Sequence, residues 1–159
     1  MALTSIDQKQ VPQGRVFALE RAIKRDLSEH LVQLQVKHYL AGGLYVRALE
    51  IPAGVVLTGH IHKRKHIAMV IQGLIDVYDG DAPPKCLRAP CIFVSEPGIK
   101  RAGFAITDTV FVTVHKLDAA GETDIEKIEA ECVCKTMEEY AAIAPETPEI
   151  LERLETGDY

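Results

Sequence analysis

Three histidines lie within a span of seven residues, and the imidazole of histidine is a group that can take part in chemistry. They are His60, His62 and His66, and the surrounding residues 54–73 otherwise have the pattern of a β-strand. Because side chains alternate along a strand, His60 and His62 share a face. His66 returns to that face unless the chain bends near residues 63–65.

Neutral imidazole is the commonest protein ligand for transition metals. Three imidazoles converging from one face leave coordination positions open for water or a substrate. A metal site formed by His60, His62 and His66 is therefore one interpretation of the pattern. A polar loop with incidental histidines is the other.

The spacing of these histidines relative to two glycines resembles the first sequence motif of the cupins. Gly54 and Gly73 bracket the three histidines in the arrangement G-x5-H-x-H-x3-H-x6-G, with His66 where the family usually has glutamate. The resemblance implies a small antiparallel β-barrel, or jelly roll, that holds a divalent metal ion with these side chains.

A second cupin motif, P-x-G-x2-H, normally supplies one more histidine to the metal. Its counterpart here is the segment S-E-P-G-I-K-R at residues 95–101, in which Arg101 takes the place of that histidine. The implied fold rests on glycines, proline and strand pattern, whereas metal binding rests on the first-motif histidines. Over residues 38–118 the chain also resembles small cupin-domain proteins encoded by bacteriophages.

Composition limits the classes of function. The chain has 159 residues, of which 47 % are hydrophobic, enough for one domain with its own core. Its net charge of −5 argues against a general nucleic-acid binder, which usually carries a basic face. No apolar run is long enough for a membrane span, and no secretion signal is expected. The four cysteines then indicate reduced thiols and a cytoplasmic protein, in the host cytoplasm or the virion if a phage encodes it.

Hydrophobic periodicity and turn residues predict a mainly β chain with helices at both ends. An amphipathic helix is predicted over residues 15–27, and short helices over 122–131, after Thr136 and after Thr147. Strands are predicted over residues 31–39, 44–51, 74–78, 86–94 with a kink at Pro90, and 108–115. An Asp-Gly turn is predicted over residues 79–81.

These elements suggest three segments of one compact domain. Residues 1–37 form an N-terminal arm, helix and leading strand, residues 38–118 the cupin barrel, and residues 119–159 a helical extension. The short terminal helices are not stable alone, so they must dock on the barrel or on another subunit. We therefore expect a homodimer or a higher homo-oligomer.

The first functional hypothesis is a metal-dependent cupin for a small anionic molecule. His60, His62 and His66 would hold Fe, Ni, Zn or Mn, and Arg101 would clamp a carboxylate or phosphate, assisted by Lys100 and Lys65. Oxygenase-like or lyase-like chemistry would suit such a site. No side chain stands out as the catalytic acid or base.

Two alternatives remain open at this stage. In the second hypothesis there is no metal. A cationic pocket binds or sequesters a phosphorylated or carboxylated molecule, such as a nucleotide, and it consists of His62, Lys65, His66, Lys100 and Arg101. In the third, the protein is a phage structural or interaction module with no small ligand. Under all three, His30, His38 and His115 are interpreted as histidines that are not ligands.

Overall fold

A computed structural model describes residues 14–26, 28–79 and 83–143. The helices are α1 (Gly14–Asp26), α2 (Ile125–Cys132) and α3 (Met137–Ile143), with a 3-10 turn at Ser28–His30. The strands are β1 (Gln35–Ala41), β2 (Leu44–Ile51), β3 (Val56–Thr58), β4 (Ile61–His62), β5 (His66–Gln72), β6 (Leu74–Tyr78), β7 (Lys85–Arg88), β8 (Cys91–Ser95), β9 (Ala102–Ala105), β10 (Thr109–Lys116) and β11 (Val133–Cys134).

Most predicted elements match these within a residue or two, but the first strand was predicted to begin too early. It begins at Gln35, which pairs with Glu50 near the end of β2. Pro52 follows β2 and has no N–H to extend the ladder, so residues 31–34 remain outside the sheet. The predicted arm before residue 14, residues 80 and 81 of the turn predicted over 79–81, and the helix after Thr147 lie outside the described residues.

The strands form two facing sheets with jelly-roll order. The larger sheet has the order β1-β2-β10-β5-β8, the smaller one β3-β9-β6-β7, and every pair in them is antiparallel. From β5 to β10 the chain crosses between the sheets at every step except the β6–β7 hairpin. Two antiparallel sheets connected in this way have the double Greek key arrangement of jelly rolls, which include the cupins. The predicted cupin-like jelly roll with terminal helices is confirmed.

Two motif glycines stand where no other residue fits. Gly73 links β5 to β6 with φ of +86°, and a Cβ there would lie 2.2 Å from the carbonyl oxygen of Asp108. Gly98 has φ of +77°, and a Cβ there would lie 2.7 Å from the ring of Tyr140 in α3. Positive φ and close approach both demand glycine. The turn between β5 and β6 and the turn between β8 and β9 are therefore dictated by backbone sterics.

The space between the sheets changes character along the barrel. At one end, Ile51, Val70, Ile75 and Ala105 form a buried apolar cluster. At the other end, four neighbouring strands of the larger sheet place Tyr45, His115, His66 and Ser95 at successive inward positions, and all four are buried. Polar chemistry is thus confined to one end of the barrel.

The terminal elements close against this polar end. Phe17 of α1 packs on a cluster formed by Ile61, Cys134 and Tyr140, which joins the N-terminal helix to the C-terminal extension. Tyr45 at the end of the barrel contacts Ile128 and Cys132 of α2. Among the described helices, none is both long enough and apolar enough to cross a lipid bilayer.

The outer face of the larger sheet is apolar along β5 and β8. On β5 and β8 the outward side chains include Ile71, Ile92 and Val94, which are 55 %, 70 % and 54 % exposed. Ile67 and Met69 continue this face, and no charged residue lies among the outward positions of these two strands. A contiguous uncharged sheet surface of this type is usually covered by another sheet. A second copy of the chain offers a surface of the same character.

We therefore predict a homodimer that buries the β5–β8 outer face. Ile92→Glu should shift the protein from a dimer toward a 17.5 kDa monomer in analytical ultracentrifugation, because a charge would be buried without a partner. Phe104→Glu, at an exposed position on β9 of the other sheet, is the matched control and should leave the dimer intact. A monomeric wild-type protein at micromolar concentration would contradict this interface.

Candidate metal centre

Three imidazoles meet at the polar end of the barrel, contributed by three different strands. They are His62 of β4, His66 of β5 and His115 of β10. One candidate ligand atom of each lies within 4.8 Å of those of the other two. The ring centroids are 4.1 Å apart for His62 and His66, 4.6 Å for His66 and His115, and 5.0 Å for His62 and His115.

Strand pairing positions His66 and His115. β10 and β5 are antiparallel neighbours whose register ends at the pair of Val114 with Ile67, so the next residue on each strand faces inward beside the other. On its other side His115 pairs with Tyr45 of β2, and His66 pairs with Ser95 of β8. The two imidazoles are therefore held by the central ladder of the larger sheet.

His62 is positioned by a different pair of strands. β4 has only two residues and pairs with β11 of the C-terminal extension, with Val133 opposite His62. The carbonyl oxygen of His62 accepts a hydrogen bond of 2.9 Å from the N–H of Gly98. After His62 the chain bends at residues 63–64 before β5 begins. This bend turns His66 back toward His62.

The structure separates His60 from the group predicted for it. His60 lines the same cavity, but residues 59–60 are not in a strand, and His60 is outside the close group. His115 takes the third place, although the sequence pattern suggested that it was no ligand. The only signal in the sequence was that His115 alternates with Thr113 and Phe111, and its inward direction depends on a register that the sequence does not give.

Burial keeps these imidazoles neutral. Loss of solvation is the main cause that lowers the pKa of His62 to about 2, and the neighbouring His66 and His115 lower it further. The same cause lowers the pKa of His115 to about 4, and the pKa values of His66 and His60 are also lowered. A neutral imidazole keeps a nitrogen lone pair free for a metal.

The donor set fits a metal ion. Nδ1 of His62 is buried and has no hydrogen-bond partner in the part of the chain that the structure describes. Nδ1 of His66 lies 3.1 Å from the carbonyl oxygen of Arg64, which requires a proton on Nδ1 and leaves Nε2 as the acceptor. An orphaned buried nitrogen beside two further imidazoles suits a cation of the imidazole-binding class.

Arg101 lies at the same cavity. Its Nη1 donates a hydrogen bond of 2.7 Å to the hydroxyl of Ser95, the residue paired with His66, and its guanidinium lies 5.8 Å from the ring centre of Phe93. Burial lowers the pKa of Arg101, and the charge of Asp79 partly offsets this. Arg101 therefore brings a positive charge to the wall of the cavity.

The two lysines predicted to help Arg101 are directed elsewhere. Lys100 is 2 % exposed, and its Nζ lies 2.9 Å from the carbonyl oxygen of Gly59 and 3.3 Å from Glu20 of α1. Lys65 forms an exposed ion pair of 3.0 Å with Glu96. Neither lysine lines the cavity, and their role in ligand binding stays a prediction.

A network on the other side supports His115. The ring of Tyr45 stacks on His115 with centroids 6.0 Å apart, and its hydroxyl lies 2.8 Å from Nδ1 of His38 and 3.5 Å from Glu129. Glu129 also lies 3.4 Å from Nε of Arg47. Burial, reinforced by Glu129, raises the pKa of Tyr45, so its hydroxyl stays protonated. Tyr45 and Glu129 therefore fix the environment of His115.

The two cysteines of the C-terminal extension do not act as a pair. Cys132 lines the cavity, and burial raises the pKa of its thiol to about 11. Cys134 instead packs with Ile61 and Tyr140. A shared soft-metal site of the two thiols is not formed here.

The cavity has a volume of about 260 Å³ and a mixed lining. Its polar wall contains the histidines, Arg101, Arg47 and Thr113. Its remaining wall is mainly aliphatic and aromatic, with Leu34, Val36, Leu49, Ile51, Leu57, Ile75, Val77 and Phe111.

No protein-family model matches the sequence, and no curated protein matches it either. Among solved structures, a cupin superfamily protein from Desulfitobacterium hafniense is 9 % identical, with TM-score 0.46, over 54 % of this chain and 79 % of that one. An RmlC-like cupin family protein with a double-stranded β-helix fold from Methanocaldococcus jannaschii is 16 % identical, with TM-score 0.46, over 58 % and 84 %. KdgF from Halomonas sp. is 19 % identical, with TM-score 0.44, over 55 % and 87 %.

The names of the first two of these proteins state a cupin or double-stranded β-helix fold. The strand order of the present chain is by itself that of a jelly roll. The resemblance to bacteriophage-encoded proteins stays a prediction.

The buried imidazoles predict a specific loss of stability in acid. Their folded pKa values lie below the ordinary 6.5, so the unfolded chain binds more protons, and stability falls as the pH drops from about 6.5 toward 4. In chelator-treated protein, urea unfolding at pH 7 and pH 5 should show that His115→Gln removes about 1–2 kcal/mol of this loss. His30→Gln, at an exposed site, is the control, and equal pH slopes for both variants would contradict the prediction.

Proposed function

We propose that this protein binds a small molecule in its barrel through a divalent transition-metal ion held by His62, His66 and His115. The observation that supports this is the group itself: three buried imidazoles have ligand atoms within 4.8 Å of one another, and one buried nitrogen lacks a hydrogen-bond partner. Burial of the His62 Nδ1 without a partner would only cost stability if nothing bound there.

Three protein nitrogens leave room for further ligands. Imidazole suits Fe, Ni and Zn, and Mn completes the set of candidate metals. When bound, such an ion supplies a Lewis acid with an open coordination position for an oxygen ligand. The protein residues supply the rest: strand pairing fixes His66 and His115, and Tyr45 packs against the His115 ring.

Arg101 gives the site a preference for an anion. Its charge lies in a half-buried position against the cavity, and the described hydrogen bond from its Nη1 goes to a neutral hydroxyl. In a site of low polarity an arginine binds a carboxylate or phosphate more strongly than it does in water. The ligand class that fits a metal and Arg101 together is a small anion.

The metal-free alternative is disfavoured by the protonation state of the histidines. An anion site made of histidines needs imidazolium cations, but burial lowers the pKa of His62 to about 2 and that of His115 to about 4. These two side chains are therefore neutral near pH 7 and contribute no positive charge. A purely structural role in a virion stays a prediction that no observed feature favours.

Metal content distinguishes the two possible ligand sets. Tag-free protein should contain close to one equivalent of metal by inductively coupled plasma mass spectrometry, and His115→Gln should lower it about 10-fold or more, because a buried nitrogen ligand is lost. His60→Gln is the matched control, because His60 lines the same cavity outside the close group.

Loss of metal in His60→Gln with retention in His115→Gln would favour the set expected from sequence, His60, His62 and His66, over the one proposed here. Absence of metal from the wild-type protein, even after reconstitution with Fe, Ni, Zn and Mn, would refute a metal centre altogether. Circular dichroism of each variant separates loss of metal from loss of fold.

A further inference from the structure

Thr113 presents a polar atom to the cavity that nothing in the described protein satisfies. Its side chain is 7 % exposed, it lines the cavity, and its Oγ1 has no hydrogen-bond partner among the described residues. A buried hydroxyl without a partner has lost its hydrogen bonds to water with nothing in return, which destabilises the fold. Thr113 lies one inward position from His115 on β10, so the hydroxyl faces the space beside the proposed metal centre.

The described neighbours of Thr113 do not satisfy it. On β2 its partner is Arg47, whose Nε lies 3.4 Å from Glu129 and whose guanidinium makes no described hydrogen bond to the Thr113 hydroxyl. On β5 its partner is Ala68, which has no polar side-chain atom. The hydroxyl therefore lies at the cavity without a partner among the described residues.

The charges around the cavity indicate one acid group. Arg101 supplies a cation whose described hydrogen-bond acceptor is the neutral Ser95 hydroxyl, and the charge of Asp79 only partly offsets the effect of its burial. Arg47 forms an ion pair with Glu129. A second anionic group on the ligand would thus meet no second cation without an ion-pair partner in the described cavity wall. Beyond the row that contains Thr113, the lining becomes apolar, with Leu49, Phe111 and Ile75.

We propose that the cavity binds a monocarboxylate with a short apolar body, and that the Thr113 hydroxyl hydrogen-bonds its acid end. The carboxylate lies among the metal centre, Arg101 and Thr113, and the hydrocarbon part packs on Leu57, Phe111 and their apolar neighbours. A volume of about 260 Å³ holds roughly nine groups the size of a water molecule, which matches a chain of five to seven carbons plus the carboxylate. This inference rests on the proposed function, since it specifies what the same site binds.

The first test compares three probes on the wild-type protein, with metal content measured on the same samples. Calorimetric titration should show that hexanoate binds at least 10-fold more tightly than hexanol, which lacks the charge. It should also bind at least 10-fold more tightly than adipate, whose second carboxylate would be forced against the apolar wall. Equal binding of adipate and hexanoate, or no binding of hexanoate to metal-loaded protein, would overturn the inference.

The second test uses two identical substitutions on one strand. Thr113→Val should weaken hexanoate binding about 5- to 10-fold, leave the metal content unchanged, and keep or raise the melting temperature, because the lost hydroxyl has no protein partner. Thr109→Val is the matched control. Its hydroxyl contacts the carbonyl oxygens of Leu74 and Thr107 at 3.2 and 2.9 Å, so it should lower the melting temperature without changing affinity.

The outcomes separate this inference from the function it rests on. Unchanged hexanoate affinity in Thr113→Val would remove Thr113 from the site while the metal centre stood. Hexanoate binding by a wild-type protein that takes up no metal even after reconstitution would leave the metal centre refuted, and the loss of affinity in Thr113→Val would still support the acid site.

Discussion

The antiparallel pairing of β10 with β2 and β5 is the constraint on which the site depends. It sets His115 beside both Tyr45 and His66, and it places Thr113 between Arg47 and Ala68. Because side chains alternate along a strand, a shift of one residue would turn His115 and Thr113 outward and bring valines inward. The buried apolar cluster at the other end of the barrel resists such a shift, since Phe111 of β10 would turn away from the cluster that it packs against. Core packing and site geometry are thus set by the same register.

The polar end of the barrel combines two opposite demands. Burial strips water from the imidazoles and from Arg101, which lowers their pKa values and weakens their charged forms. The same loss of water strengthens any interaction that a metal or an anion makes with them. As a result, one small cavity contains neutral imidazoles and the positive charge of Arg101. The remaining energetic cost is that Nδ1 of His62 and the hydroxyl of Thr113 have no hydrogen-bond partner among the described residues.

The fold was predictable because its signals are local, whereas the site was only partly so. Glycines at 73 and 98, the proline kink at 90 and alternating strands can each be interpreted within a few residues, and they match the structure. The inclusion of His115 and the position of His60 outside the group were not foreseeable, because both depend on which strands pair. The contact of Lys100 with Glu20 was not foreseeable either, since Glu20 lies on a helix distant in the sequence.

The pairing of β4 with β11 bears on how this architecture can be divided. His62 stands on a two-residue strand whose only sheet partner in the described chain is β11, which lies beyond the last strand of the barrel. The N–H of Lys63 is likewise bonded to the carbonyl oxygen of Cys132 in the same extension. The two-sheet barrel is accordingly not a self-sufficient module that could be grafted or reduced to a minimal domain. Transplanting it without residues 125–134 would carry over two imidazoles in their places and leave the third without the backbone that aims it.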